Sequence, residues 1–225
     1  MAGKYTGFMN IDIVSDTVCP WCYIGKRKLE AALSSRSDLE VQIGWRPFQL
    51  NPEMPRGGMS RQAYLSAKFG GAERAGRIYE NIRQAGADLG ISFRFDLIDR
   101  TPSTLDSHRL VRWALAEGVQ NEVVDRLFTA YFENGEDVGD HGVLARIAGE
   151  CGMDEADVAA RLRDDIDLEV VRQEDSMARS MGINGVPCFI IDRKYAVSGA
   201  QDVPVFHKVF DLALNEAVTP EDASA

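Results

Sequence analysis

Hydrophobic positions near both ends of this chain follow the two-residue period of β-strands. Apolar and polar residues alternate at 9–14 and again at 41–45. Two short apolar runs, at 188–191 and 195–197, are separated by a turn-like segment, which is typical of a hairpin. The pattern therefore predicts two strands at each end of the chain.

The middle of the chain has the period of helices instead. Apolar residues recur there at intervals of three and four, from about residue 60 to residue 181, which predicts a succession of amphipathic helices. Further helices are predicted at 21–33 and 205–217. The clearest apolar stripe, which we interpret as core packing, comprises Val123, Val124, Leu127, Phe128, Tyr131 and Phe132.

Strands at the two ends of a chain ordinarily pair within one sheet, so we predict one α/β domain interrupted by a helical insertion. The discontinuous domain would comprise residues 9–58 and 182–217, and the insertion residues 59–181. Residues 1–8 and 218–225 are predicted to be tails. A chain of 225 residues is long enough for this arrangement.

The charge balance restricts the classes of partner. Lys and Arg number 25 against 35 Asp and Glu, a formal net charge of −10, whereas nucleic acids and anionic membranes attract clustered positive charge. No apolar run approaches the roughly 18 residues that a membrane span needs. Residues 1–8 lack the apolar stretch of a secretory signal, so we expect a cytoplasmic protein with no nucleic-acid and no membrane partner. The sequence predicts no particular oligomeric state.

Cys19-Pro20-Trp21-Cys22 lies where the first strand gives way to the first helix. Proline suits the first turn of a helix, and a spacing of three brings both sulfurs to the same helix end. Unpaired amides and the helix dipole stabilise a thiolate there, and such positions lower a cysteine pKa from about 8.5 into the range of roughly 3.5–7.5. We therefore predict a redox-active dithiol with Cys19 as the exposed catalytic nucleophile and Cys22 as the resolving thiol.

Two other interpretations of the cysteine pair stay open at this point, namely half of a zinc site and two inert buried thiols. Zinc needs four ligands, but no second cysteine pair follows. The histidines are also scattered singly, at His108, His141 and His207. The sequence therefore favours redox chemistry and predicts no metal and no cofactor.

Six stretches of the sequence carry a family resemblance: Ser15-Asp16, Cys19-Pro20-Trp21-Cys22, Trp45-Arg46-Pro47-Phe48-Gln49-Leu50-Asn51-Pro52, Ser107-His108-Arg109-Leu110, Gly185-Val186-Pro187 and Val197-Ser198-Gly199-Ala200-Gln201. They resemble the thioredoxin superfamily in its DsbA-type branch, and more closely the FrnE-like dithiol oxidoreductases. The similarity runs from about residue 10 to residue 217. Related glutathione-using groups, the 2-hydroxychromene-2-carboxylate isomerases and kappa-class glutathione transferases, carry serine where this chain has Cys19.

The resemblance implies a thioredoxin-like fold in which Pro187 is cis and lies beside Cys19. It also implies that the backbone of Val186 forms strand-like hydrogen bonds with a bound polypeptide. Trp21 is expected to lie partly exposed beside the sulfurs and to contact substrate. His108 resembles a family position that faces the cleft, which makes it a further substrate-binding candidate, although a lone histidine at a helix start is more often a cap or a surface residue.

The sequence departs from the superfamily pattern in two places. Many members have a carboxylate six residues before the first cysteine that shuttles the proton of the resolving thiol, and this chain has Ile13 there. Asp16 would either serve instead or cap the helix; we favour capping, because a negative charge near Cys19 opposes thiolate formation. The Pro-Trp dipeptide lacks the histidine of strongly oxidising members, which predicts a redox potential toward the reducing end.

The remaining cysteines and the basic run on the first helix receive structural interpretations. Cys151, near a helix end, and Cys188, directly after Pro187, are predicted to be packed thiols. The run at 26–28 is predicted to be a solvated helix face.

Together these features predict an enzyme that reduces or isomerises protein or peptide disulfides in the cytoplasm, with a thiol such as glutathione as a candidate donor. One alternative is a glutathione-dependent isomerase or transferase that acts on an aromatic small molecule. Another is a redox-linked chaperone or binding module whose helical subdomain grips its partners.

Overall fold

The computed structural model describes residues 7–217 and contains, within them, strands from both ends of the chain and a helical middle. The strands are β1 (Gly7–Ser15), β2 (Leu39–Pro47), β3 (Met59–Ser60), β4 (Arg100–Thr101), β5 (Cys188–Ile191) and β6 (Tyr195–Ser198). The helices are α1 (Pro20–Ser34), α2 (Arg61–Phe69), α3 (Ala72–Ala87), α4 (Leu105–Ala116), α5 (Gln120–Phe132), α6 (His141–Glu150), α7 (Glu155–Arg163), α8 (Leu168–Ser180) and α9 (Val203–Ala217).

The main sheet has the strand order β2-β1-β5-β6. β1 and β2 are parallel and are joined by α1, whereas β5 runs antiparallel to both β1 and β6. Ile13 lies opposite Trp45 on one side and Phe189 on the other, and all three are buried. This register places the apolar residues of neighbouring strands on one face of the sheet, where they form the core. The predicted thioredoxin-like α/β fold is confirmed.

The chain between β2 and β5 is helical, as the spacing of its apolar residues predicts. Asp140 and Asp154 are the N-caps of α6 and α7. Their carboxylates accept hydrogen bonds from the amides of Val143 and Asp157, at 3.0 and 2.9 Å. The prediction missed β3 and β4, which form a separate two-stranded pair. Each has only two residues, too few for a two-residue period to be recognised.

The start of the first strand also differs from the prediction. β1 begins at Gly7, so the predicted N-terminal tail was wrong for Gly7 and Phe8, whose backbones pair with β2. Residues 1–6 and the predicted tail at 218–225 lie outside the described residues. The exact domain boundaries stay a prediction.

Arg109 joins the helices of the middle segment. Its side chain is completely buried, yet it donates to the carbonyls of Arg161, Asp164 and Ile166 at 2.5–2.6 Å and pairs with Asp106 at 2.7 Å. These carbonyls lie at the end of α7 and in the turn to α8, where backbone acceptors lack helical partners. A buried guanidinium is tolerated because its donors are satisfied in this way.

The basic run on α1 is not a solvated face, so that prediction was wrong. Lys26 is buried and pairs with Glu30 and with Asp125 of α5. Arg27 pairs with the same two carboxylates, and Lys28 bonds Asp202 at 2.6 Å. The pairs with Asp125 connect α1 to α5, and the pair with Asp202 connects α1 to the residue before α9. The basic side chains of this run therefore contact neighbouring elements.

None of the helices between residues 7 and 217 is both long enough and apolar enough to cross a membrane.

Candidate active site

The Cys19-Pro20-Trp21-Cys22 motif lies at the junction of β1 and α1, as predicted. Cys19 is the N-cap of α1 and has an extended backbone, and Pro20 is the first helical residue. No side chain caps this helix end, and its first turn contains no acidic residue. Pro20 has no N–H and the Cys22 amide donates to the Cys19 carbonyl at 3.0 Å, so the Trp21 amide and the positive end of the helix dipole are what can stabilise an anion beside Cys19.

The loop before β5 brings a second part of the chain to Cys19. The Val186–Pro187 peptide bond is cis, as the resemblance implied. The Cys19 thiol donates to the carbonyl of Val186, with 3.7 Å between sulfur and oxygen. A Cβ on Gly25 of α1 would lie 2.8 Å from the Pro187 ring, so only glycine permits this approach without a shift. Sequence analysis did not single out Gly25.

Cys22 lies one turn further into α1 and is almost completely buried. Burial raises the pKa of its thiol well above the usual value, and the hydrogen bond and charge of the neighbouring Cys19 raise it further. The side chain of Ser15 and the backbone amide of Asp16 oppose this rise in pKa. Cys22 therefore keeps its proton at neutral pH, as a resolving thiol does before its turn to react.

Asp16 does not cap α1, so the favoured interpretation of this residue was wrong. Its carboxylate is 1 % exposed and accepts a hydrogen bond from the amide of Leu50 at 2.7 Å. The other carboxylate oxygen has no hydrogen-bond partner in the described part of the chain and faces His108 Nε2 at 3.5 Å. An unpartnered buried carboxylate oxygen is uncommon because its desolvation is uncompensated. The proton-shuttle alternative for Asp16 stays a prediction.

His108 is neither a cap nor a surface residue. It lies 4 % exposed in the first turn of α4, where its Nε2 is 3.2 Å from the carbonyl of Phe48. It is not among the residues that line the cleft beside Cys19, so the structure places it behind the site, against Asp16. Its neighbour Ser107 bonds Thr17 at 2.8 Å, which ties the start of α4 to the loop that carries the dithiol.

Two further side chains hold the loop that follows β2 in place. Asp175 of α8 accepts from the amide of Gln49 at 2.7 Å, and Arg179 bonds the carbonyl of the same residue. The Arg179 guanidinium also lies 4.1 Å from the centre of the Phe48 ring. The loop after β2, which carries part of the family resemblance, is therefore held in place by contacts with α8, with His108 of α4 and with Asp16.

A cleft of about 290 Å³ opens beside the dithiol. Cys19, predicted at the exposed end of the helix, is only 4 % exposed and is reached through this cleft, which it borders. Trp21 is 40 % exposed and borders the cleft, as does Val186. No sequence pattern marked the residues of the other walls, which come from separate elements: Leu50, Arg61, Tyr64, Lys68, Phe69, Ile78, Tyr79, Ile82, Phe95, Thr101, Tyr131 and Phe132.

The two remaining cysteines are packed thiols, as predicted. Cys188 is buried among Val14, Phe48 and Ala178, and Cys151 is half-buried at the end of α6. Burial raises the pKa of both thiols. Between residues 7 and 217 no three His, Cys, Asp or Glu side chains are grouped as metal ligands would be.

The strand order, the dithiol at the start of α1 and the facing cis-proline define a thioredoxin-like oxidoreductase class. The sequence matches the DSBA-like thioredoxin domain over residues 10–211. The chain belongs to this family, so the predicted DsbA-type branch is confirmed.

Individual proteins agree with this assignment. A crystal structure of a probable DsbA oxidoreductase from Streptomyces coelicolor is 33 % identical, with a TM-score of 0.83 over 96 % of this chain and 94 % of that one. The uncharacterized protein YwbO of Bacillus subtilis is 27 % identical over 206 residues, 89 % of this chain and 94 % of YwbO. The cytosolic disulfide reductase DsbM of Pseudomonas aeruginosa, solved with GSH, shares the fold at 17 % identity, with a TM-score of 0.59 over 92 % of this chain and 99 % of DsbM.

The geometry predicts an order of reaction among the four thiols of the reduced protein. Iodoacetamide at pH 7 is expected to modify Cys19 first, because it borders the cleft at the helix N-terminus, whereas the raised pKa values of Cys22, Cys151 and Cys188 keep those thiols protonated. As the pH rises, the three slower thiols should gain rate only above the pH at which free cysteine does. Mass-spectrometric sequencing of time-quenched digests measures each site, and equal early labelling of Cys151 or Cys188 would contradict the assignment.

Proposed function

We propose that this protein is a thiol–disulfide oxidoreductase that reduces or isomerises protein or peptide disulfides through Cys19 and Cys22. The observation that carries the proposal is the position of Cys19, at the uncapped start of α1, bordering the cleft and facing the Val186 carbonyl. Cys22 lies directly behind it with a thiol whose pKa is raised. A thiol that reacts first and a neighbour that reacts second are what disulfide exchange requires.

In the first step the Cys19 thiolate attacks one sulfur of the substrate disulfide. The substrate S–S bond breaks, its other sulfur leaves as a thiolate that takes up a proton, and a mixed disulfide joins Cys19 to the substrate. The positive end of the α1 dipole and the Trp21 amide would stabilise the attacking anion before the step. The backbone of Val186 would hold the substrate chain alongside in an extended conformation, with Trp21 in contact with it.

In the second step the Cys22 thiol loses its proton and attacks the Cys19 sulfur. A Cys19–Cys22 disulfide forms, and the second substrate sulfur leaves as a thiol after protonation. The substrate has then gained two electrons from the protein and two protons, one released by Cys22 and one taken from solvent. Two equivalents of a thiol donor such as glutathione would restore the dithiol, in keeping with a cytoplasmic reductase.

The two alternative functions make different predictions at Cys19. The aromatic cleft fits an isomerase or transferase for aromatic small molecules, but related enzymes of that kind carry serine at this position. A Cys19→Ser variant would therefore keep such an activity and would lose disulfide exchange. A chaperone-like module would keep its client binding when Cys19 and Cys22 are both replaced by serine.

Reduction of insulin with glutathione or dithiothreitol as donor tests the proposal. The wild-type protein should accelerate insulin precipitation, and Cys19→Ser should reduce the rate to that of the donor alone, because no mixed disulfide forms. Cys151→Ser is the matched control, since it removes a half-buried thiol outside the cleft, and it should retain the wild-type rate. Wild-type activity in Cys19→Ser, or none in the wild-type protein, would exclude the proposed function.

We further propose that Asp16 accepts the proton of Cys22 in the second step. The free carboxylate oxygen of Asp16 is buried, and the backbone amide of the same residue contacts the Cys22 thiol. A positioned general base typically contributes a factor of about 10²–10⁴ to a proton transfer.

Asp16→Asn is expected to slow release of the second substrate thiol about 10²-fold, because asparagine still accepts from the Leu50 amide but no longer takes up the proton. Acid-quenched single turnovers measure the lifetime of the mixed disulfide. Asp12→Asn, which removes a carboxylate paired with Arg46 outside the cleft, is the control and should release substrate at the wild-type rate. An unchanged lifetime in Asp16→Asn would remove Asp16 from the mechanism.

A further inference from the structure

The charges that line the cleft differ from those of the chain as a whole. Acidic residues outnumber basic ones by 35 to 25 in the sequence. Within residues 7–217, the lining of the cleft beside Cys19 nevertheless contains two basic side chains, Arg61 and Lys68, and no Asp or Glu. The approach to the nucleophile is therefore locally positive on an acidic protein.

The two cleft cations have only neutral partners among residues 7–217. Arg61 donates to the Thr101 hydroxyl at 3.2 Å and lies 5.0 and 5.5 Å from the ring centres of Tyr79 and Tyr64. Lys68 donates to the Asn51 side chain at 3.4 Å and lies 5.3 Å from the same Tyr64 ring. Contacts of this kind orient the cations without neutralising them.

Three other basic residues of the same part of the chain are paired with carboxylates. Arg77 and Arg83 of α3 pair with Glu73 and Glu80, and Arg56 pairs with Asp165. Arg61 and Lys68 thus combine a fixed position with an unused capacity to bind a carboxylate.

The rest of the cleft is apolar and largely aromatic. Phe95, Tyr79 and Phe132 line its interior, while Gly185 and Val186 border it on the side of Cys19. Its volume of about 290 Å³ is at the small end of the range of roughly 300–1,000 Å³ for ligand pockets. A single large side chain fits this space, whereas a folded domain would stay outside it.

We infer that the cleft selects polypeptide substrates in which the reactive cysteine is flanked by an aromatic residue and a nearby carboxylate. The aromatic side chain packs among the rings of the cleft, and the carboxylate pairs with Arg61 and Lys68. The extended backbone of the segment passes Val186, which holds the disulfide at Cys19. This inference rests on the proposed function and names the substrate class of the same site.

Three synthetic disulfide peptides that differ at two positions test the inference. The cysteine is flanked by Phe and Glu in the first, by Phe and Gln in the second, and by Ala and Glu in the third. For the wild-type protein, kcat/KM for the Phe/Glu peptide should exceed each of the others about tenfold, because the Gln peptide lacks the charge-assisted hydrogen bond and the Ala peptide lacks the buried ring.

The Arg61→Gln/Lys68→Gln variant should lower the Glu-over-Gln preference to less than about twofold and leave the Phe-over-Ala preference in place. The matched control is Arg77→Gln/Arg163→Gln, which removes two positive charges from exposed positions outside the cleft and should retain both preferences. Thermal unfolding of each variant verifies that it is folded before the ratios are compared.

The outcomes separate this inference from the proposed function. Equal rates for the Glu and Gln peptides in the wild-type protein, or equal loss of preference in the control variant, would overturn the inference while disulfide reduction stands. Reduction of glutathione disulfide as fast as the Phe/Glu peptide would also overturn it, because a small anionic disulfide would then be the occupant. Failure to reduce any disulfide would instead exclude the proposed function.

Discussion

The site depends on the close approach of the start of α1 to the Val186–Pro187 peptide. These two segments are distant in sequence and meet because β1 and β5 are neighbours in the sheet, so that the loops at their ends converge on Cys19. Gly25 makes the approach sterically feasible, since any side chain there would collide with Pro187. Without this close approach, Cys19 would still occupy the N-cap position of α1, but the Val186 backbone would not lie beside it.

The helices between β2 and β5 contribute to this junction in two ways. Ser107 and His108 at the start of α4 contact Thr17 and Asp16, so the loop before α1 is packed against α4. Aromatic side chains of α2 and α3 line the cleft through which Cys19 is reached. The same helices therefore both position Cys19 and line the cleft through which it is reached.

Local patterns determined how much was predictable from the sequence. The strands of the main sheet, the helices and the reactive pair follow from alternation, from stripes and from a spacing of three, all of which lie within one element. The errors at the site and on α1 concern contacts between elements: Asp16 binds the amide of Leu50 instead of capping α1, and Lys26 reaches Asp125 of α5 instead of water. Arg61 and Lys68 become cleft residues only when α2 faces the start of α1 across the cleft, and no local pattern encodes that placement.

The central claim is that Cys19 alone forms the covalent link to substrate and that Cys22 resolves it. The most direct test replaces Cys22 by serine, mixes the reduced variant with a disulfide peptide and identifies the trapped adduct by mass spectrometry under non-reducing conditions. The account predicts one stable mixed disulfide, located at Cys19. An adduct at Cys151 or Cys188, or no adduct at all, would contradict it.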